Sequence, residues 1–228
     1  MGATEKSFTK IDGVPVYYMR NAPPRLDFAT WYCTYSFYNK LVYWKRNTEW
    51  AANNYGNYGT ITWMASAGFY VNKGGQHGAG TAMDLDRIRW SSGKISSPYY
   101  GHHATSSLTL RRRYYALDAC CRRYFRWVLD GYYPGHADHI HADFAALPTK
   151  FSKSSTSDTR FIQAVCNNFN SAGISVDGVW GPNTQAAYDA ATAKIGVTGD
   201  PFTSSTKTRL WCWEVVKHGF ANKSFGSM

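Results

Sequence analysis

Glutamate is nearly missing from this 228-residue chain. Only Glu5, Glu49 and Glu214 occur, so between residues 50 and 213 any carboxylate chemistry falls to aspartate. Negative charge is scarce altogether: 15 acidic residues face 25 basic ones, a formal charge of +10. Such a chain is drawn to polyanions, whether nucleic acid, anionic lipid or the acidic polymers of a cell envelope, and charge alone does not choose among them. No run of 18 apolar residues exists, so no membrane span is expected. The opening stretch MGATEKSFTK has no apolar core, so no signal peptide is visible. None of the five cysteines forms a C-x-x-C pair, which argues against a cysteine zinc site. Cys166 with Cys212, or Cys33 with Cys120 or Cys121, are possible disulfides; buried free thiols are the alternative.

What is present is apolar and aromatic. Hydrophobic residues make up 44% and aromatics 17%, with 17 tyrosines, enough for a packed core and for a tyrosine-rich surface of the kind that holds sugars or peptides. The stretch PTKFSKSSTSDT, Pro148 to Thr159, has linker composition. It divides the chain into residues 1–148, a linker over 149–158 and a C-terminal part over 159–228. Basic residues outnumber acidic ones on both sides.

The first part reads as mixed α and β. Trp31, Tyr35, Phe37 and Leu41 predict a helix over 28–46. Gly59 to Val71 predicts a strand. Thr81 to Ile88 alternates, with Ala82, Asp84 and Asp86 on one face and Met83 and Leu85 on the other. Leu110, Tyr114, Leu117, Cys121, Phe125 and Val128 predict a helix over 108–129, with Arg111, Arg112, Arg113, Arg122 and Arg123 on a solvated face. No nucleic-acid motif accompanies that basic helix, so no specific nucleic-acid partner is expected. Residues 132–135 read as a turn and 139–144 as a short strand.

Six of the seven histidines lie between residues 77 and 141. One group is His77-Gly-Ala-Gly-Thr-Ala-Met-Asp84; the other is His136-Ala-Asp138-His139-Ile-His141. A hydrolytic zinc takes three N or O ligands and keeps a fourth position for water. Two imidazoles and one carboxylate leave it positive enough to acidify that water, and a neighbouring base must take the proton. His139 and His141 are two apart, so a strand presents both on one face. His102 and His103 sit in a polar loop and are expected at the surface.

The pattern H-x-x-G-x-A-x-D, followed downstream by H-x-D-H-x-H, resembles the zinc peptidases related to D-Ala-D-Ala carboxypeptidases, murein endopeptidases and the hedgehog signalling domain. The stretches KGGQHGAGTAMDLD, DACCRRYF and HADHIHADF look like the extensin-like branch of that group, over residues 60–145. The resemblance implies an α+β fold: a small antiparallel sheet with flanking helices. It implies Zn2+ held by His77, Asp84 and His141, with His139 beside the metal. Relatives place Glu where Asp138 stands, so Asp138 is the preferred base and His136 the rival. The relatives' upstream substrate-binding arginine has no match near the motif; Lys73 or Gln76 is the candidate replacement.

In the C-terminal part, Asp177-Gly-Val-Trp-Gly-Pro-Asn-Thr184 looks like the turn of a three-helix peptidoglycan-binding domain, with Pro182 opening a helix and Trp180 as the wall contact. Together these resemblances imply a monomeric, endolysin-type peptidase of phage type, acting on peptidoglycan at the bacterial wall. The non-catalytic rival is a wall-binding or polysaccharide-binding protein with a structural zinc.

Overall fold

The computed structural model describes residues 2–144 and 149–228. In chain order the elements are β1 (Lys6–Phe8), β2 (Lys10–Ile11), β3 (Val14–Tyr18), β4 (Asp27–Phe28), β5 (Trp31–Cys33), α1 (Tyr35–Gly56), β6 (Ile61–Gly68), α2 (Gly75–Gly78), β7 (Ala82–Trp90), β8 (Ile95–Ser96), α3 (Leu108–Tyr124), β9 (Trp127–Leu129), β10 (Ile140–Asp143), α4 (Thr156–Asn170), α5 (Pro182–Ile195) and α6 (Ser205–Ala221). The fold is α+β, with six helices among the described residues. The main sheet has eight strands in the order β2-β3-β6-β7-β10-β9, with β4 added beside β3 and β8 beside β7. An all-antiparallel sheet was the expectation. The sheet is mixed instead, because β3 and β6 run parallel, Val16 opposite Met64 and Tyr17 opposite Ala65. The 22-residue α1 lies between them in the chain and supplies the long crossover that a parallel pair requires.

Helix α1 starts later than the aromatic spacing predicts. Trp31–Cys33 pairs as a strand with Lys6–Phe8, and Thr34 then caps the helix by accepting from the Phe37 N–H. Phe37, Leu41, Trp44, Thr48, Ala51 and Ala52 form its buried stripe. Helix α3 is capped by Ser107 and stops at Tyr124, short of the expected 129. Phe125 turns extended, and Trp127–Leu129 pairs with β10. Val128 is buried as a strand residue, at a position that also continues the helical stripe. That coincidence of spacing explains the overlong expectation.

The arginines of α3 are not a solvated face. Arg122 is buried and reaches Asp118 at 2.8 Å, Asp158 at 2.9 Å and Asp130 at 3.6 Å. Arg112 donates to the Asn168 and Asn222 carbonyls and to Ser224 Oγ. Arg111 donates to Asn168 Oδ1. These cations are consumed by the C-terminal helices. A buried guanidinium needs such partners, since losing one strands a charge at a cost of about 3–5 kcal/mol.

The stretch 149–158 is correspondingly not a free linker. Thr149 and Phe151 are buried, and α4 already begins at Thr156. Pro148, which precedes that stretch, lies outside the described residues. Phe151 packs on Phe161 and Trp211, and α6 packs on both α3 and α1. One hydrophobic cluster runs from Val16 and Ile140 through Phe37 and Tyr115 to Phe161 and Trp211.

His102 and His103 are buried, contrary to the surface expectation. His102 Nδ1 accepts from the Ser97 N–H, and burial pushes its pKa down to about 4. His103 packs on Tyr114 and Tyr132. All five cysteines are buried and free, so neither disulfide forms. Burial pushes the Cys166 thiol up to about 12, which leaves it protonated and inert. No helix among the described residues is long and apolar enough to cross a membrane.

A shared core makes a definite demand. Trp211→Ala should cost about 3–5 kcal/mol, and calorimetry should show one transition moving down as a whole. Two separate transitions, with only one shifted, would show instead that the C-terminal helices fold independently.

Candidate metal centre

The centre is assembled on the face of the sheet opposite the helices. Strands β7 and β10 run antiparallel with His141 directly opposite Asp84. Their neighbours Leu85 and Ile140 point the other way and are buried in the core. His77 arrives from α2, a single short turn before β7. That turn folds tightly because Gly78 lies against the Lys73 carbonyl: a Cβ there would meet that oxygen at 1.6 Å. Any larger residue at position 78 would displace His77.

Three ligand-type atoms converge. His77 Nε2 is 3.2 Å from an Asp84 oxygen and 3.2 Å from His141 Nδ1, and His141 Nδ1 is 2.9 Å from Asp84 Oδ1. The three residues could hold a metal ion, since their donor atoms all lie within 4.8 Å of one another. Each imidazole is oriented by its other nitrogen. His77 Nδ1 faces the Phe69 carbonyl at 2.5 Å, and His141 Nε2 faces Asp143 Oδ2 at 3.4 Å. A proton on each outer nitrogen leaves the inner lone pair aimed inwards, the arrangement that metal-binding histidines use. The donor set of two imidazoles and one carboxylate therefore fits a divalent cation.

The electrostatics agree with the geometry. Burial works to raise the Asp84 pKa, but hydrogen bonds from His141 and His77 outweigh it and hold the carboxyl well below the usual range. Burial works to lower His141, but Asp143 and Asp84 overcome it and raise the pKa to about 9. In the metal-free protein a proton thus sits between His141 and Asp84, where a cation would otherwise bring the positive charge.

The remaining residues form a second group beside the three. Asp138 Oδ1 is 2.8 Å from His139 Nδ1, and Asp138 Oδ2 accepts from Arg20 Nη1 at 2.8 Å. Burial favours a higher Asp138 pKa, but His139 and Arg20 together lower it. His139 Nε2 lies 3.7 Å from Asp84 Oδ1. His139 is therefore the member of this group nearest the ligand atoms, with Asp138 behind it. The chain bends at this point, where the His139 N–H donates to the His136 carbonyl just before β10 begins. That bend lets Asp138 reach Arg20. The His136 ring lies tilted 4.7 Å from the His139 ring, its Nδ1 2.9 Å from the Pro134 carbonyl.

Arg20 was not legible as a site residue. It follows β3, far from either histidine motif, and only the β3–β6 pairing brings it to the centre. It also clamps the fully buried Asp86 through Nε at 3.0 Å and Nη2 at 2.6 Å. Asp86 itself sits at a bulge. Ala65 pairs with Arg87 and Ser66 with Leu85, which leaves Asp86 as the extra residue. A bulge of this kind re-aims a side chain, and here it brings Arg87 to the outer face that Asp86 already shares with Asp84. Asp143, two residues after His141 on the same face, had a readable signal in the strand alternation.

The proposed replacements for an upstream arginine lie just before His77 and within α2. Lys73 is exposed, and the Gln76 side chain accepts from Thr81 Oγ1 at 2.6 Å. Trp180 stands in the turn before α5. It packs 4.9 Å from Phe202 and 5.7 Å from Tyr188, and its Nε1 donates to Gln185. The adjoining turn forms as its residues predict. Pro182 opens α5, and Gly178 takes a φ of +81° where a Cβ would meet Thr156 at 2.5 Å. A cavity of about 360 Å³ lined by Gln163, Asp177, Asn183 and Thr184 lies beside this turn. No family model, curated protein or solved structure matches the chain.

The raised His141 pKa has a signed consequence. Its folded value of about 9 stands above the ordinary 6.5, so protonated His141 stabilises the metal-free fold fully below pH 6.5 and loses that contribution as pH rises through about 9. Asp84 acts oppositely: its contribution is present above 3.8 and is lost as pH falls below that. Thermal unfolding of chelator-treated protein should therefore show the melting temperature falling between pH 6.5 and 9. The His141→Gln variant should be flatter over that window. A His141 imidazole titrating near 6.5 by NMR would refute this account of the triad.

Proposed function

We propose that the protein is a zinc-dependent peptidase that hydrolyses an amide bond in the peptide part of bacterial peptidoglycan. The observation that carries the reading is the convergence of His77, Asp84 and His141, with the His139–Asp138–Arg20 group against it. A structural metal needs the first group only; a hydrolase needs both. The histidine and aspartate motifs have the order and spacing found in zinc peptidases of the D-Ala-D-Ala carboxypeptidase type, whose fold and zinc we extend to this chain. The turn around Trp180, of peptidoglycan-binding type, adds an independent reason for a cell-wall substrate, and with it a three-helix C-terminal module. The excess of basic residues favours an anionic envelope as the place of action.

Zinc bound by His77, Asp84 and His141 would supply Lewis acidity, polarising the scissile carbonyl and acidifying water. The chain's own groups do the rest. Asp138 accepts a hydrogen bond from His139 Nδ1–H and so keeps the Nε2 lone pair free on the metal side. His139 Nε2 accepts the proton from the attacking water and returns it to the departing amine nitrogen as the C–N bond breaks. Asp138 stabilises the imidazolium between those two transfers, as the carboxylate does in other carboxylate–histidine pairs. Arg20 keeps Asp138 ionised and aimed, while Asp86, locked in the sheet, holds Arg20. Asp138, preferred above as the base itself, thus acts through His139.

Purified protein should carry one zinc per chain by metal analysis and should clear suspensions of purified cell walls. His77→Ala should lose both properties, and full lytic activity in that variant would sink the reading. Asp138→Asn should keep the zinc but lower kcat by roughly 10²–10⁴-fold, the usual contribution of proton transfer by a positioned group. Mass spectrometry of the released fragments would name the bond. Walls bound but never cut, with zinc present, would support the structural-zinc reading instead.

A further inference from the structure

The face of the sheet that carries the metal centre continues beyond it, with no helix of the described residues packed over it. From the far edge inwards, Phe28 of β4 lies opposite Tyr17 of β3, with ring centroids 5.1 Å apart. Tyr17 meets Trp63 of β6 edge-on at 6.4 Å. Trp63 lies 5.8 Å from the Arg87 guanidinium of β7, which rests on Tyr100 at 4.2 Å. Tyr100 touches Tyr99 at 5.4 Å, and Tyr99 faces the Arg20 guanidinium at 5.7 Å. Arg20 holds Asp138, and Asp138 holds His139 at the metal centre. The contacts form one unbroken line from the outermost strand to the ligands.

The strand register makes this line. Tyr17, Trp63, Ala65 and Arg87 share one face, because their neighbours Val16, Met64 and Ile88 are buried on the other. Ala65, the short residue between Tyr17 and Arg87, leaves a shallow floor. Burial does not explain the aromatic choices: Phe28 is 85% exposed and Tyr100 is 57% exposed. Four strands at about 4.8 Å spacing make the stretch from β4 to β7 roughly 15 Å across, long enough for several residues of a polymer.

We propose that this face binds the glycan strand to which the cleaved peptide is attached, a deepening that rests on the wall-peptidase reading above. Rigid aromatic rings give contact area to the C–H faces of sugar rings at little entropic cost, and the guanidinium groups between them donate to hydroxyl and acetamido oxygens. Continuity with the centre places the polymer where a peptide branching from it enters between Arg20 and His139. A single-stranded nucleic acid also uses rings and arginines. It fits worse, because its phosphates would run towards Asp84, Asp86, Asp138 and Asp143 at one end and Asp27 at the other.

The test uses the full chain and a β-1,4-linked N-acetylglucosamine hexamer, followed by tryptophan fluorescence. The wild type should bind the hexamer. Phe28→Ala and Trp63→Ala should each weaken binding by about tenfold or more, and Trp63→Phe should restore most of it. Phe28 is so exposed that its truncation leaves no cavity to unfold the protein. Both alanine variants should cut a short soluble stem peptide at the wild-type rate yet clear whole walls several-fold more slowly. Absent hexamer binding, or binding unchanged in both variants, overturns the proposal. So does preferred, salt-sensitive binding of an oligothymidylate through the same residues. A wild type that binds the hexamer through Trp63 but hydrolyses nothing would leave the glycan face standing and remove the peptidase.

Discussion

The antiparallel pairing of β7 with β10 is the constraint on which everything else at the centre depends. It sets His141 directly opposite Asp84 and, through the two-residue period of a strand, turns both to the same face. A slip of one residue would bury both and expose Leu85 and Ile140, exchanging apolar core for charge. The register is therefore held by the hydrophobic core on the other side of the same strands. The centre's stability is borrowed from residues that never approach it.

Around that pair the protein arranges polar groups in layers. His77 is aimed by a backbone carbonyl, His141 by Asp143, His139 by Asp138, Asp138 by Arg20, and Arg20 by Asp86. Each step leaves fewer free rotations for the group nearer the centre. Asp86 ends the series because the strand backbone at a bulge cannot turn away. A cluster so arranged is costly to bury unless every partner is present, since half-satisfied polar networks are worse than apolar packing. The same reasoning applies to Arg122, which gathers Asp118 of its own helix, Asp130 after β9 and Asp158 of α4, the last tying α3 to the C-terminal helices.

The difference between the expected linker and the observed packing has a plain cause. Ser, Thr and Lys in PTKFSKSSTSDT resemble a solvated tether, and composition cannot report that Phe151 finds Phe161 and Trp211. Likewise the charges of α3 look like a solvent face until the partners Asp158, Asn168 and Ser224 arrive from more than 30 residues away. Local periodicity was a good guide to β6, β7, the start of α3 and the turn before α5. It failed where a strand residue such as Val128 prolonged a helical stripe, and where Trp31 paired before the helix began.

Short-range pattern determined the two histidine groups, Asp84, the alternation that puts Asp86 and Asp143 on the outer face, and the Gly-Pro turn, because each is written within a few residues. The tertiary structure alone decided that Arg20 joins the cluster, that Asp138 reaches His77, Asp84 and His141 through His139, and that Phe28, Tyr17 and Trp63 line up with them. Those relations join segments tens of residues apart, and a parallel pairing through α1 and a bulge at Asp86 create them. Neither has a signature in the neighbouring sequence, since both are properties of register between strands.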